Sequence, residues 1–451
     1  MFECVPGSTQ GLGRGGLGRM PLGGGIGTLQ NLIDIPSTLV FRNAHIKRRL
    51  RSTGLYEANW QNISSLVKKW GSIDYAVDDT RLNRFTFSGA NLVVRNDFGD
   101  FNDETNTSSL WFGYLGRYKS LLRIQAGYQD CKANQFPTDP TQGIYVMTDE
   151  PEISGETQDF NLRASSLRSV FDGVKARDIP GLGATFTASE IVARVRDHTD
   201  GSGVAIFQQF ISTAAWTIQT TTAYYRPQTD GSEDMRLEDM SAWDLMQKVA
   251  ESEGFVLLVN RTGGLEFRNR DARTTTAAFD FRGQGFHPMN IIKAPKEREA
   301  INKLYNRFKL KYLQADTTTS YVSAGTTTSV NGTNTSWLFD QREYEMENTW
   351  VQNTATAQTV VDGLLTNLGS VRKEAEWDAK MVPQLEAMDR ITLSHRSYDV
   401  NQGSLWDVMV WDTDRWEVEG QNFDYNLKPY TCLSRRLNLD TFAMTIKGRE
   451  I

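Results

Sequence analysis

Cysteine and histidine are scarce in this chain: among 451 residues there are three cysteines and four histidines. Cys4, Cys131 and Cys432 lie far apart and form no CxxC pair, so neither a disulfide framework nor a zinc site is expected. None of His45, His198, His287 and His395 falls within helical reach of another, which excludes the HExxH metalloprotease helix and argues against a multi-histidine metal centre. No run of roughly 18 apolar residues occurs. The N-terminus lacks a cationic-then-apolar leader, so synthesis in the cytoplasm without a membrane span or signal peptide is expected. Positive charge is in deficit, 49 Lys+Arg against 55 Asp+Glu, and the net charge of -6 argues against a dedicated nucleic-acid binder. Phosphate-loop, nucleophile-elbow, EF-hand and kinase signatures are missing too.

What is present is the composition of a folded chain: 39% hydrophobic, 11% aromatic and 23% charged residues. The length corresponds to about two to four domains. Residues 11–27, GLGRGGLGRMPLGGGIG, are too glycine-dense for a helix or strand interior and read as an N-terminal arm, flexible or ordered by a partner. Gly11, Gly13 and Gly16 spell GxGxxG, but no strand precedes them and no amphipathic helix follows, so a dinucleotide loop is not supported.

From about residue 40 the chain reads as short strands bounded by Gly, Asn or Asp: residues 85–88, 90–95, 121–126, 143–147 and 159–164. Thr187 to Glu190 form a capping box before a helix. Ser241 caps a second helix whose apolar face is Ala242, Leu245, Met246, Val249 and Ala250, stopped by Gly254. The run 255–259, the turn 260–264 and the return strand 265–267 make a hairpin, so this middle stretch is a small α+β unit. Residues 301–313 read as a strand with basic residues toward solvent, and the Thr-rich stretch 316–336 as a long exposed hairpin or loop. Ala357, Val360, Val361, Leu364, Leu365 and Leu368 form a helical stripe ended by Gly369, expected to pack on a sheet. Strands return at 377–382, 390–393, 407–411, 416–419 and 443–446.

Four groups of residues are of the types that carry chemistry. Asp97, Asp100, Asp103 and Glu104 could hold calcium or supply an acid/base pair, but the same residues with Gly99 build a turn between strands. Ser394 and His395 are adjacent and, on a strand, point to opposite faces, so they do not form a nucleophile–base pair. The basic run His45 to Arg51 reads as a solvated or subunit-facing patch before it reads as a phosphate grip. Trp377, Trp406, Trp411 and Trp416 suit barrel cores or subunit interfaces, with a sugar-binding platform as the other reading. No residue is assigned a catalytic, cofactor-binding or metal-binding role.

The order of the elements resembles that of bacteriophage tail-tip proteins, the baseplate hub or minor tail proteins. The stretches that carry the resemblance are LNRFTFSGANLVVRNDFGDFND, Leu121 to Ile124, GIYVMTDEPEISGETQDFNLRASSLRSVFD and above all MSAWDLMQKVAESEGFVLLVNRTGGLEFRNRD, followed by INKLYNRFKLKY, TATAQTVVDGLLTNLG and VPQLEAMDRITLS. The family places Gly before the Asp where this chain has Met388 before Asp389, so a different turn is expected there.

The resemblance implies a mainly β fold with α+β insertions, in which two tail-tube-like antiparallel β-barrel domains flank a mixed module. The expected division is an arm at 1–40, a first barrel at 41–185, the module at 186–285 and a second barrel at 286–451. It further implies a non-enzymatic homotrimer in the virion whose six barrels meet a six-fold tail tube. Its partners would be other tail proteins (a distal tail or tube ring, fibres, and a central spike or tape measure), and DNA would pass through its channel without specific binding. The other readings are a hexameric distal tail ring, and a tail-associated glycan-binding or glycan-hydrolysing protein.

Overall fold

Short β-prone runs separated by turn residues become the strands of two large curled sheets in a computed structural model of the chain. It describes residues 39–50, 55–78, 84–101, 120–129, 135–147, 159–182, 185–227, 237–269, 277–282, 290–299, 305–314, 319–325, 343–368, 373–394 and 428–451. Residues 88, 98, 100, 202, 223, 349 and 352 are left out of these spans, and 107, 108, 111, 152 and 153 are described in addition. The strands at 407–411 and 416–419, and the arm at 1–38, lie outside the described residues.

The first stretch of chain supplies β1 (Leu39–Arg48), β2 (Gln61–Asn62), β3 (Val67–Lys69), β4 (Ser72–Asp78), β5 (Arg84–Phe87) and β6 (Ala90–Val94). It continues through β7 (Ser120–Gln129), β8 (Gln135–Phe136), β9 (Thr141–Met147), β10 (Glu152–Ile153) and β11 (Phe160–Ser166). Nine of these form an antiparallel sheet in the order β2-β1-β7-β9-β11-β6-β3, with β8 on β7 and β10 on β11. Alternation decides which face turns inward: Phe160, Leu162 and Ala164 of β11 are buried, while Arg163 between them is exposed.

The middle of the chain adds α1 (Arg168–Asp172), β12 (Phe186–Thr187), α2 (Ala188–Arg196), β13 (Trp216–Ile218), β14 (Tyr224–Tyr225), α3 (Ala242–Glu253), β15 (Phe255–Val259) and β16 (Leu265–Asn269). The capping box at α2 is present in both directions: the Thr187 hydroxyl accepts from the Glu190 backbone N–H, and the Glu190 carboxylate accepts from that of Thr187. Ser241 caps α3 in the same sense, and Gly254 ends it at φ 67, the left-handed conformation that glycine adopts without a Cβ penalty.

The remainder supplies β17 (Phe279–Arg282), β18 (Ile291–Glu299), β19 (Arg307–Leu313), β20 (Thr319–Gly325), β21 (Glu343–Asn348), α4 (Thr354–Leu368), β22 (Lys373–Lys380), β23 (Arg390–Ser394), β24 (Lys428–Asn438) and β25 (Ala443–Glu450). The second large sheet runs β17-β23-β24-β25-β22-β18 and is mixed, because β17 pairs parallel to β23. A small sheet, β20-β19-β21, carries α4. Along its parallel pair, Arg307–Glu343, Lys309–Glu345 and Lys311–Glu347 stand 3.1, 3.2 and 3.2 Å apart, a charged outer row that discourages edge pairing.

Three local features go beyond what the pattern of residues shows. The Thr-rich stretch opens as β20, paired antiparallel to β19, because Val322 alternates inward against exposed Tyr321; residues 326–336 lie outside the described residues. Strand β24 is absent from the sequence reading, since Pro429 and the pair Arg435 and Arg436 mask its alternation. Met388 adopts a positive φ of 69 while 4% exposed, a conformation that holds local strain in a residue other than glycine.

The long-range topology departs furthest from chain order. Strands β4 and β5 come from the first stretch, yet β4 pairs with β24 of the second sheet, with Ile73 opposite Leu437 and Tyr75 opposite Arg435. Both large sheets share one apolar interior, which includes Leu92, Ile124 and Leu162 from the first and Ile391, Tyr430 and Ile446 from the second. The helices, the small sheet and α4 share another, to which the first sheet contributes Leu121 and Val146 from its opposite face.

Candidate functional site: the buried junction of the two sheets

Strand β24 carries Arg435 into the interior with 1% of its surface exposed. A guanidinium there needs acceptors, because an unsatisfied buried charge is strongly destabilising. Its Nη1 donates to the carbonyls of Leu385 and, at 3.4 Å, Pro383, and its Nη2 donates to Gln142 Oε1 at 3.0 Å. Its carbon lies 4.9 Å from the ring centroid of Tyr75.

Gln142, fully buried on β9, is the matching piece from the first sheet. Its amide nitrogen lies within hydrogen-bond distance of the carbonyls of Ala126 (3.1 Å), Pro140 (3.1 Å) and Pro383 (2.9 Å), while its backbone carbonyl accepts from the Tyr75 hydroxyl. Tyr128 of β7 donates to the Met381 carbonyl at 2.8 Å. Burial pushes the phenols of Tyr75 and Tyr145 well above their ordinary range, so both remain protonated.

The middle module closes the junction through the β15–β16 turn. Arg261 Nη1 donates to the carbonyls of Asp139 (2.6 Å) and Thr141 (2.8 Å), and its backbone N–H donates to Glu386 Oε1 at 3.1 Å. One arginine therefore ties the turn to both sheets. Gly263 in the same turn has φ 82, and a Cβ there would stand 3.0 Å from Ile144 Cδ1, so glycine is needed twice over. Across the second sheet, buried Glu374 on β22 faces Arg298 on β18 at 3.1 Å and Lys447 on β25 at 3.3 Å, with Arg449 at 3.9 Å. Burial lowers Arg449 to about 10. These contacts fix strands and a turn against one another, and their hydrogen bonds are committed to carbonyls and carboxylates.

The described members of the four candidate groups do not converge on one site. Asp97 is exposed and paired with Arg95 at 2.6 Å; Gly99 has φ 67 and donates to the Asn96 carbonyl at 3.0 Å, the geometry of a turn. Asp100, Asp103, Glu104, His395, Trp406, Trp411 and Trp416 lie outside the described residues. Ser394 is buried, and its hydroxyl meets no partner among the described residues. Trp377 is core, edge-on to Phe281 and Tyr430 at 5.5 and 6.2 Å. The start of the basic run is strand β1, in which Arg48 is bound by Glu57, while Arg49 donates to Gln209 at 2.8 Å.

A cleft of about 390 Å³ is lined by Phe186, Glu190, Arg194, Asp197 and His198. Its acids are committed, Glu190 to the helix cap and Asp197 to Arg196 at 2.7 Å, and no group of three or more metal-ligating residues occurs among the described residues. Sequence reasoning missed Arg435, Gln142 and Arg261. The adjacent pair Arg435 and Arg436, between Leu433 and Leu437, was the available signal for the first; the other two are marked by nothing local.

No family model matches the chain, and no curated protein matches it. Among solved structures it is similar to the tail protein from Neisseria meningitidis MC58, with TM-score 0.50 and 9% identity over 90% of this chain and 96% of that one. It is also similar to the prophage tail protein gp18 from Listeria monocytogenes EGD-e, with TM-score 0.49 and 10% identity over 90% and 94% of the two chains. The 43 kDa tail protein of prophage MuSo2 from Shewanella oneidensis matches with TM-score 0.46 and 10% identity over 90% and 98%. At such identities the likeness is one of fold, and the Neisseria structure carries it: this chain has the mainly β fold of that tail protein.

Proposed function

We propose that this protein is a structural component of a phage-type tail, and specifically the trimeric hub that closes a six-fold tail tube at its tip. The observation that carries the reading is the pairing of two curled sheets, of nine and eight strands, through one interior. A subunit with two such half-barrels lets three copies offer six matching units to a six-fold ring, each held at a set angle by the Arg435–Gln142–Arg261 junction. The domain division at 41–185, 186–285 and 286–451 belongs to this proposal, with β4 and β5 as the segment of the first unit that completes the second sheet.

In this reading the molecule is not an enzyme. It is made in the host bacterial cytoplasm and resides in the virion tail tip. It binds a distal or tube ring on one side and fibres, spike or tape measure on the other, and DNA passes through its channel without specific binding, consistent with a net charge of -6.

The test is the oligomeric mass of the purified chain by light scattering, with electron-microscopy class averages of the same sample. A trimer with a central opening and a pseudo-six-fold outline supports the hub. A hexameric ring replaces it with the distal tail ring.

A further inference from the structure

On the outer face of the first sheet, His45 of β1 and Arg123 of β7 are register partners, and Lys47 follows two residues along on the same face. Trp60, just before β2, collects both cations: the Arg123 guanidinium carbon lies 4.6 Å and the Lys47 Nζ 5.5 Å from its ring centroid. Among the described residues neither cation has an ion-pair partner, and Arg123 Nε and His45 Nδ1 are buried without a hydrogen bond.

The acids nearby are occupied. Glu57 is held by Arg48 through two hydrogen bonds, and Asp139 accepts from the Thr141 N–H at 3.0 Å. Other polar groups on this face are Asn62 opposite His45, the register pair Asn43 and Gln125, and Arg49 bound to Gln209. Burial and then the charge of Arg123 hold His45 down at about 4. Burial and the same charge lower Lys47, against the pull of Glu57. Burial lowers Arg123, against the pull of Asp139. The cluster thus concentrates positive charge that has no direct counter-ion among the described residues.

We propose that His45, Lys47 and Arg123, gathered around Trp60, form a binding site for one oxyanion, a carboxylate or a phosphate group. Arginine's planar fork matches two oxygens, the ammonium supplies a third donor, and the imidazole adds an N–H once protonated. The site is one group wide, because Glu57 and Asp139 flank it and would repel a longer polyanion. The inference stands independently of the tail reading.

The experiment titrates the full chain with sodium sulfate, using sodium chloride at matched ionic strength as control, and follows thermal unfolding and calorimetric binding. Sulfate has no titration of its own near neutrality, so pH acts through the protein. Sulfate should stabilise beyond chloride. Lys47→Gln and Arg123→Lys should each weaken its apparent affinity by about tenfold. Bound anion raises His45 from about 4, so affinity should strengthen as pH falls from about 7.5 to 5.5, and His45→Asn should remove that strengthening alone. N-acetylglutamate and methyl phosphate then compete for the site, and the one that displaces sulfate at lower concentration identifies whether a protein carboxylate or a phosphate is the natural occupant. Sulfate acting no better than chloride, K47Q binding it as tightly as the parent chain, or displacement by neither competitor would overturn the proposal.

Discussion

Arg435 shows how one side chain decides the relation of two sheets. Its three acceptors, two carbonyls of the 383–385 segment and Gln142 Oε1, come from different parts of the chain, and removing the donor strands the Leu385 carbonyl and Gln142 Oε1 in a buried site, while the Pro383 carbonyl keeps its hydrogen bond from Gln142 Nε2. Arg435→Met, which keeps most of the volume, should therefore lower stability by about 2–4 kcal/mol in denaturant unfolding. Combined with Gln142→Leu, the losses should fall short of additive by about 1 kcal/mol or more, and strict additivity would show the two residues uncoupled. His45 gives a pH-dependent counterpart. It titrates at about 4 in the folded chain against 6.5 ordinarily, so the unfolded chain takes up a proton first as pH falls. Its contribution is fully present above about 6.5 and is lost progressively toward pH 4. Because the ring is partly exposed, solvent screening reduces this to about 1 kcal/mol, and His45→Asn should flatten the stability slope between pH 6.5 and 5 by that amount. An unchanged slope would place the titration elsewhere.

At the scale of elements, the caps and turns obey local chemistry, and two glycines separate backbone strain from packing. Gly254 ends α3 at φ 67 with open space where a Cβ would go, whereas Gly263 has φ 82 and Ile144 at 3.0 Å. Gly254→Ala should cost about 1 kcal/mol, the price of a left-handed alanine alone. Gly263→Ala should cost at least about 1 kcal/mol more, because the β15–β16 turn must also retreat from the first sheet and loosen Arg261. Equal losses in chemical denaturation would show that the turn has room to shift. Met388 is the reverse case, a buried side chain that holds a glycine-like φ because the turn between the 383–385 segment and β23 is packed around it.

For the whole molecule, the exchange of β4 and β5 into the second sheet makes the halves interdependent. A fragment comprising residues 39–185 would present Ile73, Tyr75 and Val77 of β4 without the strand they pair with. Such a fragment should aggregate or lack cooperative thermal unfolding by circular dichroism, while amide exchange in the full chain should show residues 72–78 opening together with β24 rather than with β6. A stably folded fragment with a sharp transition would show that the hairpin is dispensable to the first sheet.

The helices α2, α3 and α4, the β15–β16 hairpin and fewer than half of the strands were legible from sequence, because capping boxes, stop glycines and periods of 3.6 or 2 act within a dozen residues. The mainly β class and the mixed middle followed from them. Tertiary structure alone decided that β4 crosses to β24, that Arg435 turns inward, and that His45, Lys47 and Arg123 gather on one face around Trp60. Strand partners and buried polar contacts are chosen by pairing across long sequence separations, such as Arg435 with Gln142, and no local spacing encodes which distant strand will satisfy a given donor.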